Sequence, residues 1–234
     1  MNTPLLITVP LLLTGALVTG VAAPALADGT PSPAPTAHHA ASLSDIQAKG
    51  AAATSKRITS LNAAITKVGA AKGITDADRS TVLTTLKGDL SAMTSLATKI
   101  AADTTTTQAA ADVRSIYTQY RVYAVALPQA RIAATADRLT GVTIPRLQAA
   151  ASKLGPKVSG DSGLQSKLDD LNSQLTTAQS DTSGLAAAAL KVTPSAYNAD
   201  HTAMSSLRDK AKSAVAAVKA AAADAKAIRQ GIHK

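Results

Sequence analysis

Apolar residues recur at steps of three and four along the chain from Leu43 onward, the spacing that gathers them on one side of an α-helix. Five stretches have this spacing, and they predict helices over about 43–72, 76–103, 105–154, 163–191 and 194–231. No stretch alternates apolar and polar residues as a half-buried strand does. The pattern therefore predicts an all-α fold: an elongated, antiparallel, coiled-coil-like bundle of about five helices in a single domain over 42–234.

The residues between these stretches carry the signals of helix ends. Lys72-Gly73 is a basic last turn followed by a glycine, and Thr75 precedes aspartates that favour the start of a helix. Gly155-Pro156 and the glycine- and serine-rich residues 159–163 predict a loop. Thr193-Pro194 combines a capping hydroxyl with a proline at the first helical position. The short connections predict that neighbouring helices run antiparallel.

The third stretch spans about 50 residues and contains Pro128 and Pro145. A proline inside a helix removes one backbone hydrogen bond, and its ring clashes with the preceding turn. Because the apolar spacing resumes at Ile132, we expect Pro128 to kink this helix without ending it. A second kink is expected near Pro145.

The N-terminal residues predict export. Residues 5–21 form an apolar run, and Ala25-Leu26-Ala27 then supplies the small-x-small pattern that signal peptidases read. We expect a signal peptide over 1–27 with cleavage after Ala27, and a Pro-rich disordered linker over 28–41. The first four residues carry no Lys or Arg, so an uncleaved N-terminal anchor is the alternative. The expected location is extracellular or in the cell envelope, with no stable membrane span after cleavage.

Composition removes most catalytic chemistry. The chain has no Cys, Trp, Phe or Glu, which excludes disulfides, thiolate metal sites, cysteine nucleophiles and paired-Glu mechanisms. It also has no Gly-x-Ser-x-Gly turn, no phosphate-binding glycine loop and no calcium-loop spacing. We therefore expect a protein that is not an enzyme, with no catalytic residue, cofactor or metal site. Since 52 of the 234 residues are Ala, we expect closely approaching helices around a thin core.

Three of the four tyrosines lie close together on the third predicted helix, with arginines nearby. This central cluster consists of Arg114, Tyr117, Tyr120, Arg121, Tyr123, Arg131 and Arg138. Tyrosine rings stack on ligands and arginines bind anions, so one interpretation is a stacking and anion-binding face. The favoured interpretation is structural. In it the tyrosines supply the aromatic bulk of the core, and the arginines pair with Asp112 and Asp137.

The same segment carries a family resemblance. The run Arg121-Val122-Tyr123, followed by Leu127-Pro128 and by Ala-Asp-Arg-Leu at 136–139, resembles uncharacterised secreted helical proteins of high-GC Gram-positive bacteria. About 30 residues around 114–139 carry the likeness. That group has no assigned activity, so the resemblance implies export and a helical fold only.

The C-terminal stretch carries a row of basic residues. Lys212, Lys219 and Lys226 are seven residues apart and share one helix face. Arg208 and Arg229 add positive charge nearby. Such a row binds polyanions by releasing their counterions, but lysines at one heptad position are also typical of a solvated helix face.

These features predict a secreted or cell-envelope-associated, non-enzymatic protein with a structural or interaction role. The alternative is a polyanion-binding module, for a cell-wall polymer, a glycan or DNA, that uses the basic C-terminal helix. The expected partner is an anionic cell-wall polymer or another envelope protein, and nucleic acid is disfavoured.

Overall fold

The structure, a computed structural model, describes residues 41–233, and every regular element within this range is helical. The predicted all-α bundle is confirmed. The predicted signal peptide over 1–27, and the predicted linker except for Ala41, lie outside the described residues. Within the described range, no helix is both long and apolar enough to cross a membrane.

Over residues 41–233 the α-helices are α1 Leu43–Ala70, α2 Asp76–Ala102, α3 Thr106–Ser115, α4 Leu127–Arg138, α5 Ile144–Leu154, α6 Ser162–Thr182, α7 Leu185–Leu190, α8 Pro194–Ala199 and α9 Ser205–Ile232. Between them lie π-helical segments over Ile116–Tyr120, Val122–Ala126 and Leu139–Thr143, and a 3₁₀ turn over Gly155–Lys157.

Side chains cap the helices where the sequence predicts starts. The hydroxyl of Thr75 accepts a hydrogen bond from the N–H of Asp78 at 3.1 Å, and Thr193 caps α8 in the same way. Ser42 forms a reciprocal capping box with Asp45 at the start of α1. Gly73, after α1, has a φ of 88°, a conformation that favours glycine.

The third predicted helix is bent next to its two prolines. Pro128 and Pro145 each lie in the first turn of a new helix, α4 and α5, where no backbone N–H is needed. A π-helical segment precedes each proline, and its wider turn relieves the clash between the proline ring and the carbonyl four residues earlier. The predicted kinks are present, but the distorted backbone lies before the prolines, over 116–126 and 139–143.

The fourth and fifth predicted helices are each divided in two, which corrects the expectation of uninterrupted helices over 163–191 and 194–231. Gly184, with a φ of 64°, separates α6 from α7. The carboxylate of Asp200 accepts hydrogen bonds from the backbone N–H and the hydroxyl of Thr202, at 2.8 and 2.6 Å. This turn separates α8 from α9 because it offers the backbone an alternative to the helical ladder.

Buried apolar side chains form two clusters. The first is built mainly by α1, α2, α4 and α7 and includes the fully buried side chains of Leu61, Leu86, Met93, Ile116 and Leu185. The second is built by α5, α6 and α9. The chain passes from one cluster to the other between Ala136 and Leu139, and α9 contributes to both.

Alanine permits close packing of α6 against α9. Ala178, Ala214, Ala221 and Ala225 are all fully buried. Ala214 and Ala221 are seven residues apart, the spacing of a coiled-coil seam. The same closeness extends to the end of α9, where a Cβ added to Gly231 would lie 2.5 Å from Leu164.

Candidate functional site

The backbone of the central cluster departs from a regular helix at Arg121. This residue has a φ of 47° and a ψ of 36°, and it lies between two π-helical segments. It is the only non-glycine residue with a positive φ in the described range. A left-handed conformation costs a residue with a Cβ about 1–2 kcal/mol. The strain is held by backbone hydrogen bonds from Ala124 and Val125 to the Arg121 carbonyl, at 3.0 and 2.7 Å.

The break brings Tyr117 and Tyr123 to one arginine, Arg57, that lies outside the predicted central cluster. Arg57, on α1, lies with its guanidinium carbon 4.6 Å from the ring centroid of Tyr117 and 4.9 Å from that of Tyr123. Both distances are within the range of a cation–π interaction. Tyr120 lies between them in sequence but packs against the first core cluster. We refer to Arg57, Tyr117 and Tyr123 as the tyrosine–arginine site.

Arg57 is a buried cation that forms no ion pair with any described residue. The residue is only 7% exposed. Nη1 donates to the carbonyl of Ala53 at 2.9 Å, whereas Nε is buried and has no hydrogen-bond partner in the described structure. The ion pairs of the described range are Arg79–Asp76 and Lys99–Asp112, so neither involves Arg57. A buried charge with no carboxylate partner is unfavourable, and the two rings offset only part of that penalty.

The two rings are open to solvent on the outside. Tyr117 and Tyr123 are 47% and 46% exposed, and they are the exposed large hydrophobic residues of the described range. The hydroxyl of Tyr123 lies 3.2 Å from that of Ser60, which ties the ring to α1. The site therefore joins a buried guanidinium to two half-exposed tyrosine side chains.

The short helix α8 supports the strained turn. Arg121 donates from Nε to the side-chain oxygen of Asn198 at 2.7 Å, and its guanidinium lies 5.4 Å from the ring of Tyr197. Asn198 in turn donates to the carbonyl of Thr118 at 2.7 Å. These contacts hold the strained Arg121 against α8.

The predicted pairing of the arginines with Asp112 and Asp137 is wrong. Asp112 instead binds the ammonium of Lys99 at 2.9 Å, and Asp137 accepts the backbone N–H of Thr75 at 2.9 Å. The three remaining arginines of the central cluster are exposed: Arg114, Arg131 and Arg138. They lie away from the ring contacts that define the tyrosine–arginine site.

The basic residues of α9 do not converge on this site. Lys212, Lys219, Lys226 and Arg229 are exposed, while the opposite face of α9 packs into the second core cluster. Arg208 donates to the carbonyl of Ala124 at 3.2 Å. That carbonyl lies four residues before Pro128, which has no N–H to offer it, so Arg208 has a structural contact as well as its charge.

Arg57 could have been recognised from its register. It stands seven residues after Gly50 and four before Leu61, and both of these residues are buried. The apolar neighbour of Arg57, Ile58, is only partly buried. A basic residue at a position that the helix spacing places on the buried face is therefore the sequence feature that marks Arg57.

The described residues contain no group of three side chains suited to hold a metal ion. Comparison with known proteins adds no identification: no protein-family model, no curated protein and no solved structure matches this chain.

Proposed function

We propose that this chain is a secreted or cell-envelope-associated, non-enzymatic helical protein that acts by binding a partner at the tyrosine–arginine site. The observation that carries the proposal is the buried guanidinium of Arg57, which has no carboxylate partner within residues 41–233 and contacts two half-exposed tyrosine rings. Tyrosine and arginine are the residues most often found at the energetic centre of binding surfaces. Location follows from the predicted signal peptide and from the family resemblance.

Strain supports the choice of this surface. The left-handed Arg121 and the two π-helical segments around it are energetically unfavourable, and together they bring both rings to Arg57. Tyr117 and Tyr123 are six residues apart, and on a regular helix two such residues would point to different faces. The unfavourable backbone conformation is therefore what places both tyrosine rings on the same side of the protein, beside Arg57.

The test measures binding to isolated cell envelopes of a high-GC Gram-positive bacterium. The chain is expressed with its own N-terminal residues in a host that exports it. The mass of the exported protein should equal that of a chain that begins at Asp28. The variant Tyr117→Ser/Tyr123→Ser is expected to lose at least about tenfold in envelope affinity. Gln119→Ala, an exposed change in the same turn, is the matched control and should bind normally. Equal binding by both variants would refute the proposal.

The alternative function, polyanion binding by α9, is supported by the exposure of its lysines. None of Lys212, Lys219 and Lys226 forms an ion pair within residues 41–233. Replacing all three by Gln should reduce the number of counterions released on heparin binding by about three. The affinity for heparin should then fall less steeply as the salt concentration rises. The control removes the exposed Lys49, Lys67 and Lys72, which carry the same charge on another part of the bundle. An equal effect in both triple variants would refute a specific role of α9.

A further inference from the structure

We infer that the tyrosine–arginine site receives a single carboxylate group, carried on a flat ring, at the free edge of the Arg57 guanidinium. The inference rests on the function proposed above, since it names the class of ligand that the site binds. Three features carry it: the hydrogen-bond state of Arg57, the charge around it and the two open rings.

The hydrogen-bond state of Arg57 leaves one edge of the guanidinium unused. Nη1 is committed to the carbonyl of Ala53, in the preceding turn of α1. Nε and Nη2 form the side-on edge, whose two N–H groups point the same way and match the two oxygens of a carboxylate. Neither atom donates to an acceptor in the described structure, and Nε is fully buried. Within the described residues, this side-on edge of Arg57 therefore has no protein acceptor.

The charge of the site calls for a monoanion. The guanidinium of Arg57 is the cation in contact with the two rings, and no carboxylate of the described chain neutralises it. A carboxylate supplies one negative charge and two acceptors, which complete the pair. An aliphatic side chain at this position would fill the same space without burying a charge. The buried charge of Arg57 is therefore unfavourable in the free protein, and a bound counter-ion would compensate it.

The two rings select the group attached to the carboxylate. Both tyrosine side chains are about half exposed, so each can offer part of its ring to a flat ring of the ligand. Because Nε is covered in the free protein, the side chains that cover it must move to admit the ligand. Binding should therefore perturb the tyrosine rings and the Arg57 Nε–H together.

The experiment follows the Nε–H signals of the full chain by ¹⁵N–¹H NMR during titration with sodium benzoate. The chain has nine arginines, and the signal missing from the Arg57→Lys variant is that of Arg57. That signal should move and saturate with benzoate, and it should not move with the uncharged benzamide. Arg57→Lys keeps the charge but loses the bidentate edge, so its benzoate affinity, followed on the tyrosine ring signals, should fall at least about tenfold.

Further ligands distinguish the parts of the inference. Acetate should bind more weakly than benzoate, and equal affinity would overturn the role of the rings. Glucuronate tests whether a saturated sugar ring serves as well as an aromatic one, and tighter binding of glucuronate would overturn the flat ring. Tighter binding of phenyl phosphate than of benzoate would overturn the inference that the anionic group of the ligand is a carboxylate. If Arg57→Lys fails to fold, Tyr117→Leu replaces it, and it should weaken benzoate binding more than acetate binding, whereas an equal loss for both ligands would overturn the role of the ring.

The outcomes separate this inference from the proposed function. Envelope binding that depends on the tyrosines, with no saturable shift from benzoate, would remove the carboxylate and leave the proposed function in place. A saturable benzoate shift without tyrosine-dependent envelope binding would remove the proposed function and leave a carboxylate site.

Discussion

Asp89 lies on the buried side of α2, and we predict that replacing it by Asn stabilises the protein at neutral pH. It stands three residues after Leu86 and four before Met93, both fully buried, so it shares their helix face. Burial raises the pKa of Asp89 from 3.8 to about 6. In the described range no cation forms an ion pair with it.

The raised pKa gives the direction and the size of the effect. Folded Asp89 holds its proton more tightly than the unfolded chain does, so stability falls as the pH rises from about 4 to about 6 and stays low above that. The difference between pKa values of 3.8 and about 6 corresponds to about 3 kcal/mol at most. Because Asp89 is only partly buried, solvent screens part of this, and we expect about 1–2 kcal/mol. The melting temperature should rise by about 2–4 °C per kcal/mol.

The assay is urea unfolding of the wild-type chain and of Asp89→Asn at several pH values. The two should have similar free energies of unfolding near pH 4, where Asp89 is protonated, and should separate between about pH 4 and pH 6, with the variant more stable. Asp170→Asn removes an exposed carboxylate from α6 and serves as the control. Other aspartates contribute to the pH dependence of both proteins, so the difference between them is the measured quantity. Parallel profiles for wild type and Asp89→Asn would refute the reasoning.

Two further predictions concern packing and capping. Gly50→Ala should destabilise by about 1–2 kcal/mol, because its Cβ would lie 2.8 Å from methyl groups of Ile100 and Val113 that cannot rotate away. Gly88→Ala, with no atom within 4 Å of the new Cβ, should instead stabilise by about 0.8–1 kcal/mol; equal effects would contradict the packing argument. Thr75→Ala should cost about 1 kcal/mol in thermal unfolding by removing the cap of α2, and an unchanged midpoint would show that the cap contributes nothing.

Apolar spacing and capping residues predict most of this fold because they act locally. The starts at Thr75 and Thr193 are where the sequence places them, since each needs only one side chain and a nearby backbone N–H. The divisions at Gly184 and Asp200 were missed for the opposite reason. The apolar spacing continues across both, so the local turn signals had to be weighed against a pattern that favours one long helix.

The candidate site was only half predictable. The sequence marks Tyr117 and Tyr123 as a cluster, but on a regular helix they would not meet one partner. The left-handed Arg121 that brings them to Arg57 has no local signature, because nothing in its neighbours excludes a helical conformation. The contact with Arg57 joins residues 60 and 66 positions apart, which spacing along one helix cannot reveal.

The combination of unfavourable features is the main argument for the site. The packing of α6 against α9 is lined by fully buried alanines at heptad spacing, and its buried oxygens without a described hydrogen-bond partner are those of Gln174 and Asp181 on α6. The strained Arg121, both exposed tyrosines and Arg57, which forms no ion pair within residues 41–233, lie together near the first core cluster. A sequence shaped for stability alone would satisfy or replace such groups, whereas functional sites retain them. The lysines of α9 break no such rule, since exposed charge on a helix is favourable without any ligand. We therefore assign the binding role to the tyrosine–arginine site before the basic face of α9.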